Sequence, residues 1–265
     1  MLGYFVKRIL QVTPVLLVIS FICFMMIRLV PGDPVTNMLG LGASKEAIAA
    51  QREELGLDRP LLEQYGDFLV DALHGDLGTS IISRKPVTEE IADRYPATLK
   101  LAIGGTLFAA VVGIAFGIIS AVQHNKLADN VIMVFSLLAV STPSFFLALL
   151  MMLVFSIWLG WLPSMGLRTP LHYVLPIITL GMQSVGMIAR TTRSSMLEVL
   201  GQDYIRTSKS RGISQRVIVL YHAFKNALIP VLTMVGLRFG GLLAGSMLVE
   251  TVFSVPGIGR LMVDG

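Results

Sequence analysis

Five apolar blocks, each about 20 residues or longer, constrain this chain more than any other feature, because each can cross a hydrocarbon core about 30 Å thick. They run approximately over residues 9–30, 97–122, 131–158, 173–192 and 227–253. In lipid every backbone N–H and C=O must find an internal partner, which a helix provides. The apolar residues come in blocks and do not alternate with charge, so the chain reads as an all-α, polytopic transmembrane bundle. Composition agrees: 14% of residues are charged and mean hydropathy is +0.74, where a soluble domain carries about 25% charge. The one cysteine, Cys23, lies inside the first block, which excludes a disulfide framework and a cysteine metal cluster. That first block follows Lys7 and Arg8 and is succeeded by Pro31-Gly32-Asp33-Pro34, with no small-residue cleavage site. It reads as an uncleaved signal anchor.

Charge sets an orientation. With Lys7 and Arg8 in the cytosol, residues 31–96 lie outside, the 123–130 turn inside, 159–172 outside and 196–226 inside. The outer segment carries twelve acidic against six basic residues, a net charge of −6. It reads as a small helical cap: Ser44 caps a helix that stops at Gly56, and Pro60 opens a second with Leu62, Tyr65, Phe68, Leu69 and Leu73 on one broad face. A third short helix at Thr88 to Ile91 precedes a span starting at Pro96. The same segment is also a candidate contact surface for an external partner.

The inner segment is basic. Arg206, Lys209, Arg211, Arg216 and Lys225 stand against Glu198 and Asp203, with Arg190 and Arg193 just upstream. Asp203 is placed to cap a helix over 204–211, Gly212 to end it with positive φ, and Ser214 to cap the helix that re-enters the membrane. Tyr204, Ile205 and Ser208 would share the face offered to a soluble partner. An amphipathic helix lying on anionic lipid fits the same pattern.

The run Asp203-Tyr204-Ile205-Arg206-Thr207-Ser208-Lys209-Ser210-Arg211-Gly212, followed by Asn226-Ala227-Leu228-Ile229-Pro230, resembles the cytosolic loop of ABC importer permeases. Leu55-Gly56-Leu57-Asp58-Arg59-Pro60, Gly75-Asp76-Leu77-Gly78-Thr79-Ser80, Pro96-Ala97-Thr98-Leu99 and Val255-Pro256-Gly257-Ile258-Gly259-Arg260 extend the likeness over nearly the whole chain. Within these permeases the chain resembles the dipeptide/oligopeptide/nickel branch, in the B-type, glutathione/dipeptide permease-like subunit. Arg206-Thr207-Ser208 stands where the general importer signature has Glu-Ala-Ala, and Gly212 and Pro230 lie further apart than in that signature. The resemblance implies that Asp203, Tyr204, Ile205, Arg206, Thr207, Ser208, Lys209 and Gly212 form a coupling helix seated on a cytosolic ATPase. It further implies a second permease as heterodimer partner, two ATP-binding subunits that hold ATP and Mg, and an extracytoplasmic solute-binding protein. The setting would be a prokaryotic plasma (inner) membrane. Relatives of this branch continue through a sixth span, expected beyond residue 265. The chain then divides into a first span (1–30), an extracytoplasmic helical segment (31–96), a permease core (97–253, with the coupling segment at 196–226) and an extracytoplasmic tail (254–265).

Small residues mark two spans: Gly113 and Gly117 in the second, Gly236, Gly240, Gly241 and Gly245 in the fifth. Close helix packing accounts for such spacing, and the second set, with Arg238, is also a candidate pathway or subunit contact. Arg238 sits near the middle of the fifth block, where insertion of an arginine costs about 2.5–3.5 kcal/mol. It should face the interior, a wet cavity or the partner subunit. Arg28, Lys100 and Glu250 lie nearer the outer boundary and are expected to snorkel. Enzyme chemistry lacks its parts: there is no HExxH pair, no nucleophile elbow and no phosphate-binding loop, so no catalytic, metal or ATP site is expected in this chain. The basic cluster at a membrane face argues against nucleic acid. The reading is a permease half that moves di- or oligopeptides or a related solute by alternating access. Nickel–metallophore complexes or glutathione are alternative solutes. An ATP-independent secondary transporter or channel, or a non-transporting scaffold, are the rivals from other classes.

Overall fold

The computed structural model describes residues 2–29, 34–39, 43–54, 56–80 and 82–264. Among these the secondary structure is helical, with one isolated β-bridge between Thr79 and Pro86. The chain divides into two compact units, Met1–Ile91 and Ala92–Gly265. Residues 31–33 and Leu55 of the sequence motifs lie outside the described residues.

The first unit holds α1 (Leu2–Leu29), α2 (Pro34–Leu39), α3 (Lys45–Glu54) and α4 (Leu61–Leu73). Ser44 caps α3 as expected, its hydroxyl accepting from the Ala47 N–H at 3.2 Å, and Gly56 follows with φ +64°. On α4 the inward face is narrower than the apolar pattern implies. Tyr65 and Phe68 meet Phe21 and Phe24 of α1, with ring centroids 5.1 and 6.0 Å apart for the Phe21–Tyr65 and Phe24–Phe68 pairs. Leu62 and Leu73 stay exposed. The Tyr65 hydroxyl also donates to the Leu17 carbonyl at 3.0 Å, tying α4 to α1 by a polar contact.

A single 36-residue helix, α5 (Val87–Val122), replaces the expected short helix and separate second span. Pro96 lies inside it. An interior proline removes one backbone bond and crowds the carbonyl four residues earlier, yet the helix continues on both sides of Pro96. At 1.5 Å per residue α5 is about 54 Å long, well beyond the hydrocarbon thickness.

The third block, expected as one span, is broken. α6 (Leu127–Ser141) and α7 (Ser144–Met151), which continues as π-helical turns over Met152–Trp158, meet at a bend of 106°. Thr142 adopts φ −77°, ψ 124°, the extended geometry forced on a residue that precedes proline, here Pro143. A 3-10 turn (Pro170–Tyr173) then leads into α8 (Val174–Leu200), followed by α9 (Asp203–Ser210) and α10 (Gln215–Val217). After a π-helical stretch (Ile218–Ala223) come α11 (Phe224–Gly245), α12 (Met247–Val252) and α13 (Ile258–Asp264). The fifth block is therefore divided at Ser246. Among the described residues four helices are long and apolar enough to cross a membrane, or five if the bent pair counts as one span.

α8 is the spine of the second unit. Three buried clusters follow it in order: Leu101, Leu175, Leu180 and Phe253; then Ala109, Val185, Ile188 and Val231; then Ala121, Met196, Ile205 and Ile218. Helix packing in lipid relies on close van der Waals contact. A Cβ on Gly113 would lie 2.9 Å from Ile188 Cβ, and one on Gly117 2.7 Å from the Ala189 carbonyl oxygen. Gly113 and Gly117 thus let α5 touch the backbone of α8, as their spacing predicts.

Glu250 corrects the expectation of snorkelling. It is completely buried. Its Oε1 accepts from the Thr98 and Ser246 hydroxyls, each at 2.7 Å, and its Oε2 from the Arg260 N–H at 3.0 Å. Thr98 in turn accepts from the Ile258 N–H at 2.9 Å. The carboxylate is satisfied internally, which removes the reason to reach water, and it fastens the Val255-Pro256-Gly257-Ile258-Gly259-Arg260 turn to α5.

Gly117→Val is expected to overpack the α5–α8 contact and destabilise the chain by about 1–3 kcal/mol. Gly236→Ala, where a new Cβ meets nothing within 4 Å, leaves stability unchanged. Thermal unfolding of the two variants in detergent reads the difference, and equal melting temperatures would contradict the packing account.

Candidate coupling surface and intramembrane site

α9 is built to stay attached to the bundle. Its N-cap is Gln202, with extended backbone (φ −71°, ψ 151°), so Asp203 is the first helical residue and not the cap. There an acidic side chain complements the positive helix end. Arg206 approaches Asp203 at 3.6 Å, both side chains largely in solvent. At the other end Gly212 has φ +75°. The Gly212 N–H donates to the Lys209 carbonyl (3.0 Å) and the Ile213 N–H to the Ser208 carbonyl (3.3 Å), the paired bonds of a Schellman stop. Ser214 occupies the N-cap of α10 as expected, without a side-chain capping bond.

The expected outward face of α9 is corrected. Ile205 is fully buried against Met196, Ile218, Ala223 and Ala227. As the apolar residue among polar neighbours it gains most by turning inward. Tyr204 is exposed, but its hydroxyl accepts from Asn226 Nδ2 at 2.7 Å and donates to the His222 carbonyl at 3.3 Å, linking α9 to α11. Ser208 is half-buried, its hydroxyl donating to the Tyr204 carbonyl at 2.9 Å. Asp203, Arg206, Thr207 and Ser210 therefore form the free face, at helical spacing, with Lys209 exposed beside them.

Sequence reasoning missed a clasp beside this helix. Asp129, 1% exposed, receives two bonds from Arg193, from Nε to Oδ1 and from Nη2 to Oδ2, each 2.7 Å. The Ser120 hydroxyl and the Asn125 N–H (2.9 Å) also donate to it. His124 Nδ1 lies 3.3 Å from Asp129 Oδ2 and 3.0 Å from Arg193 Nη2. The pair joins the end of α5, the α5–α6 turn, α6 and α8. In the sequence Arg193 reads as part of the basic segment, and the one signal of its pairing is the acid at the otherwise basic 123–130 turn.

Arg238 lies in α11, seven residues before its last residue, Gly245. It lines a cavity of about 140 Å³ with Ser144, Leu180, Gln183, Ser184, Gly241 and Leu242. A Cβ placed on Gly236, Gly240 or Gly241 would meet nothing within 4 Å, so these glycines do not pack within the chain as Gly113 and Gly117 do. The surroundings of Gly245 lie outside the described residues. Structure thus brings Arg238 and Gly241 to one cavity, which no residue of α9 lines.

Residues 113–265 match the family of binding-protein-dependent transport system inner membrane components, and residues 1–102 match the N-terminal model of such membrane components. The chain belongs to this family. It is 46% identical over 264 residues to the glutathione transport system permease protein GsiC of Pectobacterium atrosepticum, covering 100% of this chain and 86% of that protein. The GsiC protein of Escherichia coli strain K12 is 44% identical over the same coverage. A chain from the methionine ABC transporter MetNI, in inward-facing conformations, superposes with a TM-score of 0.55 at 20% identity, over 66% of this chain and 79% of that one. That likeness concerns the fold. The protein is accordingly a permease subunit of an ABC importer and a multi-pass inner-membrane protein, of a family that works with ATPase and binding-protein partners.

Asp129→Ala leaves Arg193 without its partner and is expected to lower stability by about 3 kcal/mol. Asp129→Ala combined with Arg193→Leu removes the uncompensated charge and recovers part of that loss. Thermal unfolding of both variants tests the clasp, and a double variant no more stable than the single one would contradict it.

Proposed function

We propose that this chain is one half of the membrane path of an importer for small peptide-like solutes, with glutathione and short peptides as the favoured class. The carrying observation is α9: a short helix stopped cleanly at Gly212, anchored inward by Ile205, and left with a free polar face of Asp203, Arg206, Thr207 and Ser210. A lipid-surface helix would bury its apolar side in the headgroups. Here that side is already spent on the protein core, so the remaining face suits a soluble partner. The solute class draws support from the glutathione transport permeases to which the chain is similar.

In this reading the basic end of the bundle, with α9, lies in the cytosol, and the acidic first unit contributes the extracytoplasmic segment. Two ATPase subunits, which hold ATP and Mg, close against each other and push on α9 of this chain and on its counterpart in a second permease. Because Ile205 and Tyr204 tie α9 to α11 and α8, the push moves the spans as a body and opens the path alternately to each side. A solute-binding protein delivers cargo at the opposite face. Gly236 and Gly240, with open space where a side chain would be, suit the close approach of the second permease.

Arg206→Glu together with Thr207→Trp alters only the free face. The variant is expected to fold and insert normally, to lose about tenfold or more in ATPase retention (about 1.4 kcal/mol), and to lose solute-stimulated ATP hydrolysis. Co-purification and hydrolysis assays on the reconstituted complex read both effects. Full retention and normal stimulation would remove α9 from the coupling path, and a reporter fused after Gln215 that proved external would overturn the orientation.

A further inference from the structure

Arg238 makes neither an ion pair nor a hydrogen bond among the described residues, and no acidic residue lines the cavity it faces. The serine hydroxyls there can donate, and Gln183 carries both a donor nitrogen and an acceptor oxygen. Ser184 is 3% exposed and lines the cavity. Ser144 opens α7, whose N-cap is Pro143 and carries no side-chain cap. The first backbone bond of α7 runs from the Leu147 N–H to the Pro143 carbonyl, so the N–H groups of Ser144, Phe145 and Phe146 have no acceptor within the helix. Gln183 donates through Nε2 to the Thr142 carbonyl at 2.9 Å, occupying an acceptor that the α6–α7 break would otherwise expose. A guanidinium, a buried hydroxyl and the positive end of a broken helix thus meet in one small cavity inside a membrane bundle. Arrangements of this kind receive anionic groups of transported solutes.

We propose that the cavity bounded by Arg238, Ser144, Ser184 and Gly241 is a transit site for a carboxylate group of the solute. The site rests on the solute class proposed above, since peptides and glutathione carry free carboxylates. Arg238 would receive the carboxylate as a charge-assisted pair, while Ser144 and Ser184 donate to it. The open space at Gly241 leaves room for the rest of the solute beside α11.

The test uses the assembled importer in proteoliposomes. Cys23 is the one cysteine of this chain, and a Cβ at position 241 meets nothing within 4 Å, so Gly241→Cys in a Cys23→Ser background places a thiol at the cavity without strain. Labelling of this chain is measured with anionic sulfonatoethyl and cationic trimethylammonioethyl methanethiosulfonate, each rate divided by that for a free thiol in solution. The anionic reagent is expected to react about tenfold or more faster. Adding Arg238→Gln abolishes the preference, and reduced glutathione or trialanine slows labelling in the parent. Separately, Arg238→Gln lowers uptake of those solutes about tenfold or more at unchanged complex yield. A thiol unreactive with both reagents, or reactive without charge preference, overturns the site. So does a variant with reduced complex yield and normal uptake per complex, which makes Arg238 a subunit contact. If the anion preference holds but the parent imports neither solute, the solute class fails and the anion site stands.

Discussion

The contact on which the second unit depends is the close approach of α5 to α8, closed at one end by a buried ion pair. Apolar side chains gain nothing by leaving lipid for one another, so the helices hold by packing and by internally satisfied polar groups. Gly113 and Gly117 bring α5 against the backbone of α8 around Ile188 and Ala189. Asp129 then takes Arg193, Ser120 and the Asn125 N–H, which sets the end of α8 relative to α5 and α6. At the other end, Glu250 gathers Thr98, Ser246 and the Arg260 N–H in the same manner. Both buried carboxylates are hydrogen-bonded, and Asp129 is also paired with Arg193, which lowers the cost of burying them.

Fixing α8 has a consequence for α9. Only Gly201 and Gln202 separate the two helices, and Ile205 lies in the same buried cluster as Met196 of α8 and Ala223 and Ala227 next to and within α11. A force applied to the free face of α9 would therefore be borne by α8 and α11 together, without a slack linker between them. Arg238, at the cavity beside α7 and α8, lies on one of those two helices. Under the proposed function, the element that receives the push and the element that meets the solute are parts of one packed body.

Much of this was legible in the residues. Apolar block length located the membrane helices, and Gly56 and Gly212 announced the positive φ at their helix ends. What the pattern missed were consequences of neighbours far along the chain. Helical spacing cannot say which side of an eight-residue helix finds a core, so the inward turn of Ile205 is not visible in the sequence. Nor is the burial of Glu250, whose donors at Thr98 and Arg260 are brought by folding. The partner of Asp129 is 64 positions away, beyond the reach of any local pattern. Pro143 is a different case: its constraint on Thr142 is local and was available, but the continuous apolar run from residue 131 to 158 masked it. Pro96 misled in the opposite sense, since one proline need not end a helix.

The account turns on α9 moving with the bundle. Spin labels at Arg211→Cys, the exposed C-cap of α9, and Asn130→Cys on α6, in a Cys23→Ser background, would report the distance between the two helices in the assembled importer. Measured with and without ATP, the distance distribution should keep the same maximum to within about 2 Å, because α9 and the bundle are packed as one body. A displacement of about 5 Å or more between the two conditions would mean that α9 swings on a hinge, and the direct transfer of motion to the spans would be contradicted.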